Sequence, residues 1–330
     1  MCVRRDVRVK NPVAVFGALC AMLCLILAPA AAIESARYGL TLCAELIVPS
    51  LLPFFTASAL LVRLGVPQLL GRLLASPAQK LWGVSGAGAA AFFTGICGGY
   101  PLGAQTVAEL YGTGQIPRGE AERLLRFCNN SGPSFLIGVI GSSLFSSRAA
   151  GVLLYAIHVT SAMLVGVLFR GNGSSSSAPS PAPACGMGKA LVASVRQSVA
   201  AVLSVSGFVV CFCVLSGLLD SIGFWGAASG LLSSLIRMEK HDARALLIGL
   251  TELSTGIGAL RGLPPTNARF TLAAFLCGWG GLSVQLQSLA VISETDLSGR
   301  AHVVGRLLSG LFSAILAALV CRGFSLFGAS

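Results

Sequence analysis

The chain has 330 residues, of which 55% are hydrophobic and 11% charged, and its mean hydropathy is +0.82. Soluble domains carry about 25% charged residues, so this composition excludes them and marks an integral membrane protein whose first partner is the lipid bilayer. The net charge of +11 comes from 23 Lys and Arg scattered through short loops, which fits membrane topology and headgroup contact rather than nucleic acid.

The alternating strands of an outer-membrane barrel are absent. Apolar segments of about 17 to 25 residues recur instead, giving about seven or eight candidate spans of an all-α, polytopic protein. In the N-terminal region, 1–38, Arg4, Arg5, Arg8 and Lys10 precede an apolar run over 12–33, so the tail is expected in the cytoplasm. The same stretch has the form of a secretory signal ending at Ala28-Pro29-Ala30-Ala31-Ala32, but the run is long enough to span and reads as an uncleaved signal anchor.

The first half, 39–170, opens with a helix over 39–64 bent by Pro49 and Pro53. Residues 66–81, with Arg72 and Lys80 among leucines, read as an interfacial amphipathic segment. A glycine-rich apolar run over 83–103 follows, then a charged stretch over 109–126, a polar break at 129–133 and a membrane helix over 149–169. The run from Arg118 to Arg126 is expected to be a solvated helix face with local ion pairs.

A Gly/Ser/Pro-rich linker over 171–188 then divides the chain. The second half, 189–330, has an apolar helix over 199–219, a charged stretch over 237–244, interrupted segments around 251–256 and over 270–292, and a closing helix over 303–320. Arg237, Lys240 and Arg244 leave the orientation of this half undecided. If the halves are repeats, the breaks 97–105 and 252–256 correspond, as do 129–133 and 278–287. A competing register aligns Cys97, Gly98, Leu102 and Gln105 with Cys277, Gly278, Leu282 and Gln285 at an offset of 180.

Helix-breaking polar sequence at membrane depth is tolerated only where protein or a wet cavity satisfies the backbone, so the interruptions mark a transport or binding site. The first comprises Gly98, Gly99, Tyr100, Pro101, Gly103 and Gln105. The second is Asn129, Asn130, Ser131, Gly132 and Pro133, whose amides and hydroxyl suit a neutral polar solute or, equally, a helix cap. The third is Glu252 with Ser254 and Gly256, where a costly intramembrane carboxylate could hold a cation, a proton or a hydroxyl-rich ligand, or fix helix packing. The fourth is Gly280, Gly281, Ser283, Gln285 and Gln287. Glu45, near a helix start, fits a plain interfacial position better.

Catalysis finds no support: His158, His241 and His302 are far apart, and no Walker sequence occurs, so the chain is not expected to be an enzyme. The eleven cysteines read as small membrane-buried hydrophobes without a metal-ligand pattern. No cofactor is expected, and active transport would run on a coupling ion, H⁺ or Na⁺, or on a partner.

Five ordered motifs carry a family resemblance: Val48-Pro49-Ser50-Leu51-Leu52-Pro53-Phe54-Phe55, Gly99-Tyr100-Pro101-Leu102-Gly103-Ala104, Glu120-Ala121-Glu122-Arg123-Leu124, Asn129-Asn130-Ser131-Gly132-Pro133 and Gly278-Trp279-Gly280-Gly281-Leu282-Ser283-Val284. With them the chain resembles the YlbJ-type sporulation integral membrane proteins of the nucleoside-recognition Gate domain family. The resemblance implies two Gate-like halves with interrupted or re-entrant helices, related to concentrative nucleoside transporters. It also implies a bacterial inner-membrane location and a role in making the spore cortex beside other sporulation membrane proteins. Gln105 and Gln285 stand where relatives often carry Lys and His, which puts a proton-coupling role at those positions in doubt.

The expected function is therefore a permease-like transporter of a small polar solute, nucleoside or cell-wall precursor in class, with Asn129, Asn130, Ser131, Glu252, Ser283 and Gln287 around one cavity. The alternative is a non-transporting membrane scaffold for cortex assembly. A membrane enzyme acting on lipid-linked precursors is weaker, because no acid, base or metal constellation supports it.

Overall fold

A computed structural model describes residues 12–171, 186–323 and 327, so the basic tail and linker residues 172–185 lie outside the described residues. The predicted N-terminal run is two helices, α1 (Pro12–Leu27) and α2 (Pro29–Leu42), because Pro29 supplies no N–H and takes the first helical turn. Then α2 runs through a π-helical turn (Cys43–Ile47) into α3 (Val48–Arg63), making one apolar span from Pro29 to Arg63. The π turn lies directly ahead of Pro49, which cannot donate to the Glu45 carbonyl and crowds it, so the helix widens there.

Next, α4 (Val66–Trp82) starts after Gly65 and stops at Gly83, both with positive φ, and meets α5 (Gly86–Gly98) at 94°. Ser85 caps α5 by accepting from Gly88 N–H, while its own N–H donates to Glu120 Oε1 at 2.7 Å. Glu120 is therefore fully buried, whereas Arg118 and Glu122 form the expected exposed pair at 3.0 Å. The charged run is solvated on one side only.

From α5 the chain turns back at 99–101 into α6 (Leu102–Gly112), which packs against it as a hairpin. Then α7 (Arg118–Leu124) unwinds and resumes as a π-helix (Ser134–Leu144) before α8 (Arg148–Leu168). Beyond the linker come α9 (Met187–Ser221), α10 (Phe224–Ile236), the packed pair α11 (Lys240–Thr251) and α12 (Leu253–Gly258), the interrupted span α13 (Asn267–Trp279) and α14 (Gly281–Ile292), and α15 (Gly299–Gly323).

Among the described residues, five helical segments are long and apolar enough to cross a membrane, or six if the bent α4–α5 pair counts as one. That is fewer than the sequence reading expected. Arms such as α5 with 13 residues and α6 with 11 fall short of the roughly 20 needed to cross, so they enter and turn back. The order of elements after α3 also recurs after α9: a short helix, a hairpin, an interrupted span, a continuous span. This order pairs the break at 99–101 with Glu252 and the break at 129–133 with Gly280. The offset of 180 would instead pair a hairpin tip with an interrupted span.

Candidate functional site

The hairpin tip at Gly99-Tyr100-Pro101 lies against the unwound stretch after α7. Gly103 lets it approach: a Cβ there would overlap the Cys128 carbonyl, so only glycine allows backbone to lie on backbone. Asn129 fastens the contact. Its Oδ1 accepts from Ala104 N–H at 3.2 Å, and its Nδ2 donates to Ser288 Oγ on α14 at 2.7 Å.

Asn130 Nδ2 donates to the Phe127 carbonyl at 2.7 Å, while its Oδ1 accepts from Arg306 Nη1 at 3.2 Å. Ser131 N–H donates to His158 Nε2 at 3.1 Å, and Ser131 Oγ and Tyr100 OH both donate to the Cys277 carbonyl, at 3.4 and 3.1 Å. The carbonyl freed near the end of α13 is thus satisfied from two other breaks.

On the opposite side, the Glu252 carboxylate caps α12. Oε1 accepts from Ser254 N–H at 3.0 Å, and Oε2 accepts from Thr255 N–H at 2.5 Å and Thr255 Oγ1 at 2.7 Å. Glu252 is buried and belongs to none of the ion pairs of the described residues. Gly281, at φ +78°, brings the α13–α14 break onto the backbone of Leu253 and Glu252, a conformation and an approach that a side chain would obstruct.

All four breaks therefore meet around one cavity. Gly99, Tyr100, Ser131, Gly132, Glu252, Ser254, Ser283 and Gln287 line it, together with Leu51, Phe55 and Phe135 and with Val205 and Val209 of α9. It leaves about 60 Å³, room for a few waters and well below the roughly 300 Å³ of common small-molecule sites. Ser283 Oγ is buried without a hydrogen-bond partner among the described residues, so its hydrogen-bonding capacity stays open towards the space.

The other predicted residues stand elsewhere. Asn129 and Asn130 lie behind the wall, with their amides engaged by protein. Gly98, Pro101, Gly103, Pro133 and Gly280 shape the breaks without lining the cavity, and Gly256, inside α12, lets that helix lie on Gly249 of α11. Gln285 turns back, donating from Nε2 to the Trp279 carbonyl at 2.8 Å. Gln105 is exposed on the outer face of α6 and is not brought to the cavity. Glu45 is exposed and lines a second, more polar cavity of about 240 Å³ with Tyr38, Thr41, Ser143 and Arg261. Ser254 borders both cavities.

Sequence reasoning missed Arg306, which is fully buried and links α15 to the Tyr100 tip and to Asn130. Its signal was available: a charge within a membrane helix is costly enough to require partners. His158, noted only as an isolated histidine, is the acceptor that holds Ser131 N–H.

No family profile matches the chain. The chain is 29% identical over 320 residues to the sporulation integral membrane protein YlbJ of Bacillus subtilis (strain 168), covering 89% of this chain and 78% of that protein. Its fold is similar to that of a doubly substituted CNTnw in an outward-facing state, with a TM-score of 0.63 at 17% identity over 87% of this chain and 77% of the other. It is also similar to CNTnw in an inward-facing substrate-bound state, with a TM-score of 0.58 at 15% identity over 84% and 75%. The YlbJ resemblance therefore extends over most of the chain, and the all-helical membrane fold is shared with concentrative nucleoside transporter structures.

Proposed function

We propose that this protein is a permease of the bacterial inner membrane, with its N-terminus in the cytoplasm, that moves a small polar solute required for the spore cortex. Nucleosides and cell-wall precursors are the solute classes to test first, and other sporulation membrane proteins are its expected neighbours. Its role is transport rather than catalysis. The observation that supports the reading is the meeting of two hairpin tips and two interrupted spans around a single cavity that offers the Glu252 carboxylate, the Ser283 hydroxyl and the Gln287 amide.

Aliphatic and aromatic walls from Phe55, Phe135 and Val209 would shed water from the flat part of a solute, while the polar groups select its hydroxyls. With about 60 Å³ open, admission requires the hairpin tips to separate from the α3 and α9 walls. CNTnw is known in outward-facing and inward-facing states, so this architecture is compatible with access from either side.

The test is uptake by proteoliposomes of the purified protein, screened over labelled nucleosides and cell-wall precursors. Accumulation of one class, reduced about tenfold or more by Glu252→Gln through loss of a charge-assisted contact, supports the reading. No accumulation of any member, with normal sporulation of cells carrying Glu252→Gln, removes it. One observation favours the scaffold instead: the narrow space, with both asparagines occupied by protein bonds. A scaffold would tolerate Glu252→Gln and Gln287→Leu and lose function through changes in exposed loops.

A further inference from the structure

Arg306 stands in the apolar α15 span and is fully buried. A guanidinium there keeps its charge and must replace water with other partners. Every partner it has among the described residues is a neutral oxygen. Nη1 donates to Tyr100 OH at 3.3 Å and Asn130 Oδ1 at 3.2 Å, and Nη2 donates to the Arg126 carbonyl at 3.3 Å and Ser309 Oγ at 3.0 Å. None of the ion pairs of the described residues includes it.

These oxygens come from three places: the α5/α6 tip, the unwound stretch after α7, and α15 itself. Carbonyl, amide and hydroxyl oxygens gathered where a membrane helix unwinds are the donor set with which broken-helix transporters hold a coupling Na⁺. Here that set is turned towards a charge the chain supplies. A metal ion placed among the same oxygens would also face the guanidinium at close range, and like charges at that distance in a low-dielectric site repel strongly.

We propose that Arg306 is a tethered cation, taking the oxygens of the hairpin–span junction that a coupling metal ion would use, so that the protein's own charge holds the junction together. For transport, which rests on the permease reading above, the consequence is that no Na⁺ gradient is drawn on at this junction. Among the described residues, Glu252 is then the one carboxylate lining the cavity.

The test uses the full-length protein in lipid nanodiscs, melted in NaCl and in choline chloride of equal ionic strength. A Na⁺ site filled to 100 times its Kd would raise the midpoint by about 5 °C, whereas a tethered cation leaves the two midpoints coincident. Arg306→Met should lower the midpoint in both salts by more than Arg306→Lys, which keeps a charge at shorter reach. A Na⁺-specific rise in the wild-type protein overturns the proposal, and so does a Met variant as stable as the Lys variant. The wild-type comparison decides the Na⁺ question even if Arg306→Met does not fold. Vesicle uptake keeps the two readings apart: coincident midpoints with no uptake of any solute would retain the tethered cation and remove the permease.

Discussion

Asn129 and Ser288 lie 159 positions apart in the chain and are joined by a 2.7 Å hydrogen bond from Nδ2 to Oγ. With its Oδ1 on Ala104 N–H, the same side chain ties a hairpin to an interrupted span of the other half. Asn129→Leu removes both bonds; the Ser288 hydroxyl keeps its own bond to the Val284 carbonyl at 2.9 Å, while the Ala104 N–H is left buried without a partner, at about 1–3 kcal/mol where no water replaces the amide. A fall in the denaturation midpoint matching about 1 kcal/mol or more, the lower bound for one such group, is expected. A near-neutral variant would show that water enters the junction.

Gly103→Ala and Gly112→Ala are both helical substitutions in α6, yet they should differ in sign. A Cβ at Gly103 meets the Cys128 carbonyl, which is backbone and cannot rotate away, while a Cβ at Gly112 meets nothing within 4 Å. Gly103→Ala should push the hairpin off the unwound stretch and abolish uptake. Gly112→Ala should leave uptake intact and stabilise the helix by about 0.5–1 kcal/mol. Equal behaviour of the two in thermal melts would contradict the close approach.

Arg269 holds the base of the second hairpin to α13. Its Nε donates to Asp242 Oδ1 at 2.8 Å, Nη2 to Glu239 Oε2 at 2.6 Å and Nη1 to the Pro264 carbonyl at 2.7 Å. Asp242 is buried and Glu239 largely exposed, so the Asp242 pair matters more. Arg269→Met strands the Asp242 carboxylate, and a loss of about 3–5 kcal/mol in chemical denaturation is expected. Glu239→Gln should lower stability by less than 1 kcal/mol, on the order of an exposed pair.

Outside the spans, hydrogen bonding from the Tyr111 hydroxyl and, secondarily, the charge of Arg118 hold the Asp296 carboxyl below the usual carboxylate range. A folded-state value below the unfolded one gives stability that is present above the unfolded value and lost as pH falls through the folded one. The contribution is therefore present at neutrality, and its loss is confined to acid conditions, below about pH 4. Asp296→Asn should flatten the acid limb of a midpoint-versus-pH curve by lowering the plateau near neutrality slightly, because the contribution it removes is the one present above the unfolded value. An unchanged acid limb would assign acid sensitivity to other carboxylates.

Much of this arrangement was legible because glycine, proline and polar residues inside apolar runs have few other uses. The four breaks, the Glu252 carboxylate and the Ser283 and Gln287 side chains were all identified that way. The partners were not all legible, since the bonds Asn129–Ser288, Arg306–Asn130 and Arg306–Tyr100 join residues brought near only by the fold. Gln105 was misplaced because local composition does not say which face of α6 packs inward. Once Gly103, Ala104, Val107 and Ala108 are buried, position 105 must face out. The excess of expected spans has a similar origin, because hydropathy does not distinguish two short arms that turn back from a helix that crosses.

Ser283 separates a binding role from a packing role better than any other position. Its Oγ is buried beside the cavity and bonds to nothing among the described residues, so removing it breaks no hydrogen bond within the protein. Ser283→Ala should leave the thermal midpoint unchanged or raise it slightly, because a buried polar atom without a partner is itself unfavourable. If a solute hydroxyl takes that place, the same variant should raise the KM of uptake by about tenfold, as expected for one lost hydrogen bond of 1–1.5 kcal/mol. A drop in stability with unchanged KM would reverse the assignment and place Ser283 in the packing of the α13–α14 break.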